Sequence, residues 1–96
     1  MTTANPDGPR LHAVTVDAEW ITAHFLDGRR VSVPLWWSWR LEAATPAQRQ
    51  HYELLGDGTT AHWPDIDEDL SAEGFLTGTP AARGRAYETF LTQRAR

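Results

Sequence analysis

The chain has 96 residues, is 41% hydrophobic, and contains five Trp, three Phe, two Tyr and no Cys. This length predicts one small domain whose core forms without disulfides, and the lack of Cys excludes thiol nucleophiles and thiolate metal sites. The start has no apolar signal-peptide core, and no apolar run approaches the roughly 18 residues that span a bilayer. We therefore expect a cytoplasmic protein with no membrane association.

Charge is distributed unevenly along the chain. Residues 1–78 contain five Arg and twelve acids, whereas residues 79–96 contain four Arg and one acid, for a net charge of −4 overall. An acidic body repels phosphate backbones, which disfavours nucleic-acid binding by the main domain. Binding of nucleic acid through the tail stays a minor hypothesis, since four Arg are few for such a footprint.

The first elements are predicted to be strands. Residues 1–9 are polar and indicate a flexible leader, and residues 10–17 are rich in β-branched side chains, although Leu11 and Ala13 alternate one step out of phase with Val14 and Val16. A single α+β domain is predicted from residue 10 to residue 78.

A β-hairpin follows, with WITAHFL and RRVSV on either side of Asp27-Gly28. A two-residue loop would mix apolar and polar side chains on each face. A three-residue loop over 26–28 pairs Ala23 with Val31 and Ile21 with Val33, which collects the apolar side chains on one face. We therefore predict the three-residue loop.

The second half alternates short helices and strands. LWWSWRLEAA predicts a short, mostly buried helix, TPAQ predicts a capping box that opens a helix through about His51, and YELLGDGTTAHW predicts two strands around a Gly56–Gly58 turn. A helix over about 70–77 closed by Gly78 comes next, and residues 79–96 predict a C-terminal amphipathic helix. The expected class is α+β, with a small antiparallel sheet formed by a β-hairpin meander and short helices packed on one of its faces.

The stretch HWPDIDEDLS, residues 62–71, has the density of ligands that a metal site requires. As a calcium loop it fails at the two most restrictive positions, which hold Leu70 in place of Gly and Leu76 in place of a bidentate Glu. As a transition-metal site it offers only one His, whereas zinc sites with carboxylates usually recruit two. A metal-dependent hydrolase or nuclease is therefore the alternative hypothesis, with a site formed by His62, Asp65, Asp67 and Asp69.

A structural interpretation of the same stretch requires less. Carboxylates before and within a first helical turn interact favourably with the helix dipole, and Asp69 or Ser71 can cap the free N–H groups. His62-Trp63-Pro64 is then the end of a strand with an anchoring indole. We expect no metal and no cofactor.

Aromatic side chains supply the candidates for binding. Of the cluster Trp36, Trp37 and Trp39, we expect two to be buried and one to be an exposed anchor, and Arg40 to stack on an indole or pair with an acid. The tail carries i,i+4 apolar pairs that pack on the domain itself or on a partner. The predicted partner-binding residues are Trp36, Trp39, Tyr87, Phe90 and Leu91.

Three blocks, DG..VSVPLWWSWRL, AATPAQRQHYELLGDG and HWPDIDEDLSAEGFLTG, resemble the small prokaryotic family catalogued as domain of unknown function 2442, over residues 10–78. The family often has Pro where this chain has Trp39. The resemblance implies a compact α+β fold and no established activity. It implies family-motif residues with structural roles at Arg40, Gly56, His62, Trp63, Pro64, Asp67, Glu68, Asp69, Ser71 and Gly78.

Members of that family stand alone or are joined to a helix-turn-helix domain, and their genes often lie beside another small gene, an arrangement similar to a toxin–antitoxin pair. No nucleophile motif or phosphate loop occurs in this chain. The leading hypothesis is thus a non-enzymatic interaction domain that binds another small protein or a second copy of itself.

Overall fold

The computed structural model describes residues 8–78, 88–89 and 91–92. Two antiparallel sheets of three strands each make up most of this part, with strand orders β1-β2-β3 and β4-β5-β6. The strands are β1 (Leu11–Val16), β2 (Trp20–Phe25), β3 (Arg30–Pro34), β4 (Glu53–Leu55), β5 (Thr60–Trp63) and β6 (Glu68–Ser71). The helices are α1 (Trp39–Ala43), α2 (Pro46–Gln50) and α3 (Ala72–Thr77), with 3-10 turns at Leu35–Trp37 and Gly56–Gly58. The expected α+β class is confirmed.

The first hairpin has the predicted register. Ala23 lies opposite Val31 and Ile21 opposite Val33, and the Gly28 N–H donates to the Phe25 carbonyl within a three-residue loop. Gly28 has φ 95°, the left-handed conformation that a bulged hairpin loop requires. The inward side chains of β2 are almost fully buried, so this face of the sheet forms the core.

Strand β1 contains a β-bulge that explains its irregular sequence pattern. Leu11 lies opposite Phe25 and Ala13 lies opposite His24, so the intervening His12 has no place in the regular pairing. The extra residue returns Val14 and Val16 to the inner face, where Leu11 also lies. The phase shift in the sequence therefore marks the bulge.

Strand β1 also joins the two sheets. The Val14 N–H donates to the Tyr52 hydroxyl at 3.0 Å, and the Gln50 side-chain amide donates to the Val16 carbonyl at 3.1 Å, so side chains from the second half of the chain satisfy its outer edge. A Cβ on Gly58 would lie 2.3 Å from the Leu11 carbonyl oxygen, because the two backbones touch there. The largest fully buried side chain described in the core between the sheets is that of Trp63, which is 0% exposed.

Polar side chains fix the beginning of each helix. Thr45 and Gln48 form the predicted capping box of α2, which ends at Gln50. The Ser38 hydroxyl accepts from the Leu41 N–H at the start of α1, and the Ser71 hydroxyl accepts from the Gly74 N–H at the start of α3. Left-handed Gly78 closes α3 as expected.

The predicted role of the acidic stretch is wrong for residues 67–69. These residues do not lead into a helix; residues 64–67 form a turn in which Asp67 has φ 54°, and β6 (Glu68–Ser71) then pairs with β5. Helix α3 begins only at Ala72, and Ser71 is its N-cap, as the sequence allowed. The acids therefore shape a hairpin instead of seating a helix.

Most of the leader and tail lies outside the described residues. Residues 1–7 of the leader do, as do Tyr87 and Phe90 of the predicted binding set. Residues 88–89 and 91–92 are helical and exposed, with Leu91 41% exposed. In the described part of the chain, no helix has the length and apolar character required to cross a membrane.

Candidate functional site

The first part of the candidate site is a buried polar network between α1 and β6. Glu68 is 4% exposed and Ser38 is 0% exposed, and the Ser38 hydroxyl donates to Glu68 Oε2 at 2.5 Å. Glu68 Oε1 accepts the Asp69 N–H at 3.0 Å and lies 3.8 Å from Arg40 Nη1. Because the same Ser38 hydroxyl caps α1, this network ties the helix to the acidic hairpin.

Arg40 has two neighbours in this network. Its guanidinium lies 4.2 Å from the centre of the Trp39 ring and opposes the carboxylate of Glu68. The sequence offered stacking on an indole or pairing with an acid as separate possibilities for Arg40, and the structure contains both.

Two histidines, His51 and His62, form separate pairs with aspartates of the acidic stretch. On the β5–β6 hairpin, His62 Nδ1 lies 2.5 Å from Asp69 Oδ1, and these two residues are cross-strand partners. His51, which follows α2, has its Nδ1 2.8 Å from Asp65 Oδ2. The first pair joins the two strands of the β5–β6 hairpin, and the second joins the turn of that hairpin to the residue after α2.

The environment of His62 favours its protonated form. Its hydrogen bond with Asp69 raises the pKa of His62 above the ordinary value, and the charges of Asp69, Glu53 and Asp67 act in the same direction, against partial desolvation. When it is protonated, the imidazole forms a cross-strand ion pair with Asp69.

The four residues of the hypothetical metal site, His62, Asp65, Asp67 and Asp69, are not grouped as the ligands of one metal ion. His62 is engaged by Asp69 and Asp65 by His51, while Asp67 occupies the left-handed position of the turn. Across residues 8–78 and the four described tail residues, no group of three or more His, Cys, Asp or Glu side chains has the arrangement of a metal site. The chemistry that this geometry supports is pairing within the fold.

Trp63 is the anchoring indole that the sequence predicted at the end of β5. It is fully buried, its Nε1–H donates to the Arg49 carbonyl at 3.1 Å, and its ring centre lies 5.7 Å from that of Tyr52. Arg49 in turn donates from its side chain to the carbonyls of Leu41 and Glu42 at the end of α1. Trp63 thus fastens α1 and α2 to the second sheet.

The Trp cluster has one exposed, one half-buried and one buried side chain, where the sequence predicted two buried and one exposed. Trp36 is 50% exposed, Trp37 is half-buried against the core, and Trp39 is 6% exposed. Trp39 was expected among the exposed partner-binding residues; the structure instead buries it, because the inward face of α1 also carries Leu41. Of the three, only Trp36 is exposed.

Sequence reasoning missed Trp20, which is 46% exposed at the start of β2. It lies opposite Pro34, which is two residues before Trp36, so both exposed indoles are at the same end of the first sheet. The alternation of β2, in which Ile21 and Ala23 point inward, was the signal that could have found it. We call Trp20, Pro34 and Trp36 the indole patch.

The turn between β1 and β2 holds the backbone of Trp20 in place. The Asp17 carboxylate accepts the N–H groups of Glu19 and Trp20, both at 2.8 Å, and these bonds lower the pKa of Asp17. The Leu35 N–H also donates to the Glu19 carbonyl at 2.9 Å, which continues the ladder to the residue before Trp36. The indole patch therefore rests on a fixed backbone.

A shallow groove of about 220 Å³ lies beside the buried network. Its walls come from α1, the loop after it, α2 and the β5–β6 turn. The lining residues are Trp39, Arg40, Ala43, Ala44, Gln48 and Ile66.

Comparison with known proteins places the chain in a family without assigning an activity. The model of the family described as "Protein of unknown function (DUF2442)" matches residues 11–81. A crystal structure of a protein of unknown function from Rhodospirillum rubrum ATCC 11170 is similar, with 26% identity, a TM-score of 0.68, and coverage of 81% of this chain and 96% of that one. No curated protein matches the chain. From the matched span and the similar fold, the chain belongs to the DUF2442 family of proteins of unknown function.

Proposed function

We propose that this chain is a non-enzymatic interaction domain of the bacterial cytoplasm that binds another small protein, or a second copy of itself, in a regulatory pair of the toxin–antitoxin kind. The observation that carries the proposal is the indole patch, in which Trp20 and Trp36 are each about half exposed at one end of the first sheet.

Exposed indoles are costly unless they are covered by a partner. Fully burying a Trp removes about 150–250 Å² from water, so covering the exposed half of one indole contributes on the order of 2 kcal/mol. Trp is also the residue type most enriched among binding hot spots. Two such residues on a fixed backbone form the centre of an interface.

The polar residues of the family motif support the same proposal. The family-motif residues Arg40 and Glu68 pair with each other, Glu68 also accepts from the Ser38 hydroxyl, and His62 bonds to Asp69. Side chains engaged in this way hold the fold together. Binding another protein requires exposed apolar surface, which the indole patch supplies.

The test is co-purification from the native host with the tagged full chain. We expect one protein, or the untagged chain itself, to be retained in a fixed ratio by wild type and lost when Trp20 and Trp36 are both changed to Ser. Leu26→Ser is the matched control, because Leu26 is 63% exposed on the hairpin loop, away from the patch.

Circular dichroism shows whether each variant is folded before binding is compared. Retention of the same partner by the folded Trp20→Ser/Trp36→Ser double variant at the wild-type ratio would contradict the proposal.

A further inference from the structure

We propose that the groove between α1, α2 and the β5–β6 turn receives the C-terminal segment, residues 79–96, of a second copy, so that two chains exchange tails. This site does not use the indole patch, so it goes beyond the function proposed above and can fail independently of it.

The shape of the groove suits an apolar side chain presented by a helix. At about 220 Å³ it is smaller than the roughly 300–1,000 Å³ of most small-molecule sites, and it is open to one side. Ala43, Ala44 and Ile66 give it an apolar lining above the Trp39 ring. Short, open apolar grooves of this kind accept the anchors of an amphipathic helix.

The residues next to the groove lining in sequence carry a net negative charge, with three acids against Arg49. Glu42 precedes Ala43 of the lining, Asp65 and Asp67 flank Ile66, and all three acids are exposed. The positive charge of Arg40 in the lining is opposed by Glu68, 3.8 Å away. The groove therefore favours an apolar segment that carries positive charge.

The tail of this chain has that character. Residues 79–96 contain four Arg against one acid, and Ala86/Phe90 and Tyr87/Leu91 are i,i+4 pairs on one stripe of the predicted helix. Leu91 is 41% exposed, so a member of the stripe still has apolar surface for a second molecule to cover.

A reciprocal exchange fills the grooves of both copies at once. If each tail lies in the groove of the other chain, the two contacts are identical and the dimer is closed by a twofold axis. The acidic body and the basic tail of one chain then each face the opposite charge on its partner. In this arrangement, the occupant of each groove is the tail of a second copy of the chain.

Sedimentation equilibrium of the full chain tests the exchange with two complementary variants. Ala43→Arg blocks the groove and Leu91→Asp removes the apolar anchor, and both positions are exposed, so the fold is expected to be kept. We expect wild type to dimerise, each variant to raise the dimer dissociation constant by about tenfold or more, and added salt to weaken the wild-type dimer. Leu26→Asp is the control and should dimerise like wild type.

Mixing the two variants is the decisive step. One intact groove and one intact tail remain in the mixed pair, so an equimolar mixture should associate more tightly than either variant alone and less tightly than wild type. If a variant fails to fold by circular dichroism, Phe90→Ala replaces the tail change and Ala43→Lys the groove change. A wild-type chain that stays monomeric, a dimer insensitive to both changes, or a mixture no tighter than its components would overturn the proposal.

Discussion

At the scale of single residues, the acidic stretch contains one buried carboxylate, that of Glu68. Both oxygens of Glu68 are occupied, one by the Ser38 hydroxyl and the other by the Asp69 N–H with Arg40 nearby. Burying a carboxylate is unfavourable unless such partners are present. The sequence could not reveal this pairing, because Ser38 is 30 residues away from Glu68 and only the fold brings them together.

Changing Glu68 is expected to cost stability. Glu68→Ala leaves the buried Ser38 hydroxyl and the Asp69 N–H without their acceptor and should lower the free energy of unfolding by about 2–4 kcal/mol. Glu68→Gln keeps an acceptor and should cost only about 1 kcal/mol. Urea denaturation measures both, with Glu73→Ala, an exposed acid on α3, as the control at roughly 0.5 kcal/mol. Equal losses for Glu68→Ala and Glu73→Ala would show that the network does not stabilise the fold.

The His62–Asp69 pair predicts a dependence of stability on pH. The pKa of His62 is raised in the folded chain, mainly by its hydrogen bond with Asp69, while Glu53 and Asp67 add to the effect. A raised folded pKa means that the pair stabilises the fold fully below the unfolded value of about 6.5 and loses this effect as pH rises through the folded value.

The measurement is the NMR titration of the His62 imidazole together with urea denaturation from about pH 5 to about pH 8.5. The difference in unfolding free energy between wild type and His62→Gln should shrink as pH rises, and Asp69→Asn should lower the imidazole pKa. An imidazole pKa that is the same in wild type and Asp69→Asn would refute this assignment.

At the scale of elements, local signals were reliable and long-range pairing was not. The Asp27-Gly28 loop and the Thr45 capping box were predicted from adjacent residues, because the interactions that form them lie within a few positions. Strand β6 was not predicted because Glu68 and Asp69 have low strand propensity. The strand forms nonetheless, because these residues pair with β5. In the candidate site, Trp36 was found from the aromatic run, whereas Trp20 required attention to the outer face of β2.

Substitutions at two glycines test whether the close approach of Gly58 to the Leu11 backbone constrains the fold. Gly58 has φ 99° and approaches the Leu11 backbone, whereas Gly28 has φ 95° and open space where a Cβ would be. Gly28→Ala should therefore cost only the left-handed strain of about 1–2 kcal/mol. Gly58→Ala adds a clash between the sheets and should cost about 2–5 kcal/mol. Thermal and urea denaturation compare the two variants; similar losses would mean that the contact with Leu11 does not constrain the fold.

At the scale of the whole molecule, the chain separates the residues that hold the fold from those that face outward. Ser38, Trp63 and Glu68 connect α1, α2 and the second sheet from within, whereas Trp20 and Trp36 extend from the end of the first sheet. We therefore assign the family-motif residues to stability and propose that the exposed indoles act in binding.

One comparison tests that assignment most directly: unfolding free energy and partner capture measured side by side for Glu68→Ala and for the Trp20→Ser/Trp36→Ser double variant, with capture measured at a temperature where both are folded. We expect Glu68→Ala to lose about 2–4 kcal/mol of stability and still capture the partner, and the folded indole variant to lose capture. The opposite pattern, in which the folded Glu68→Ala protein loses the partner and the folded indole variant retains it, would contradict the assignment.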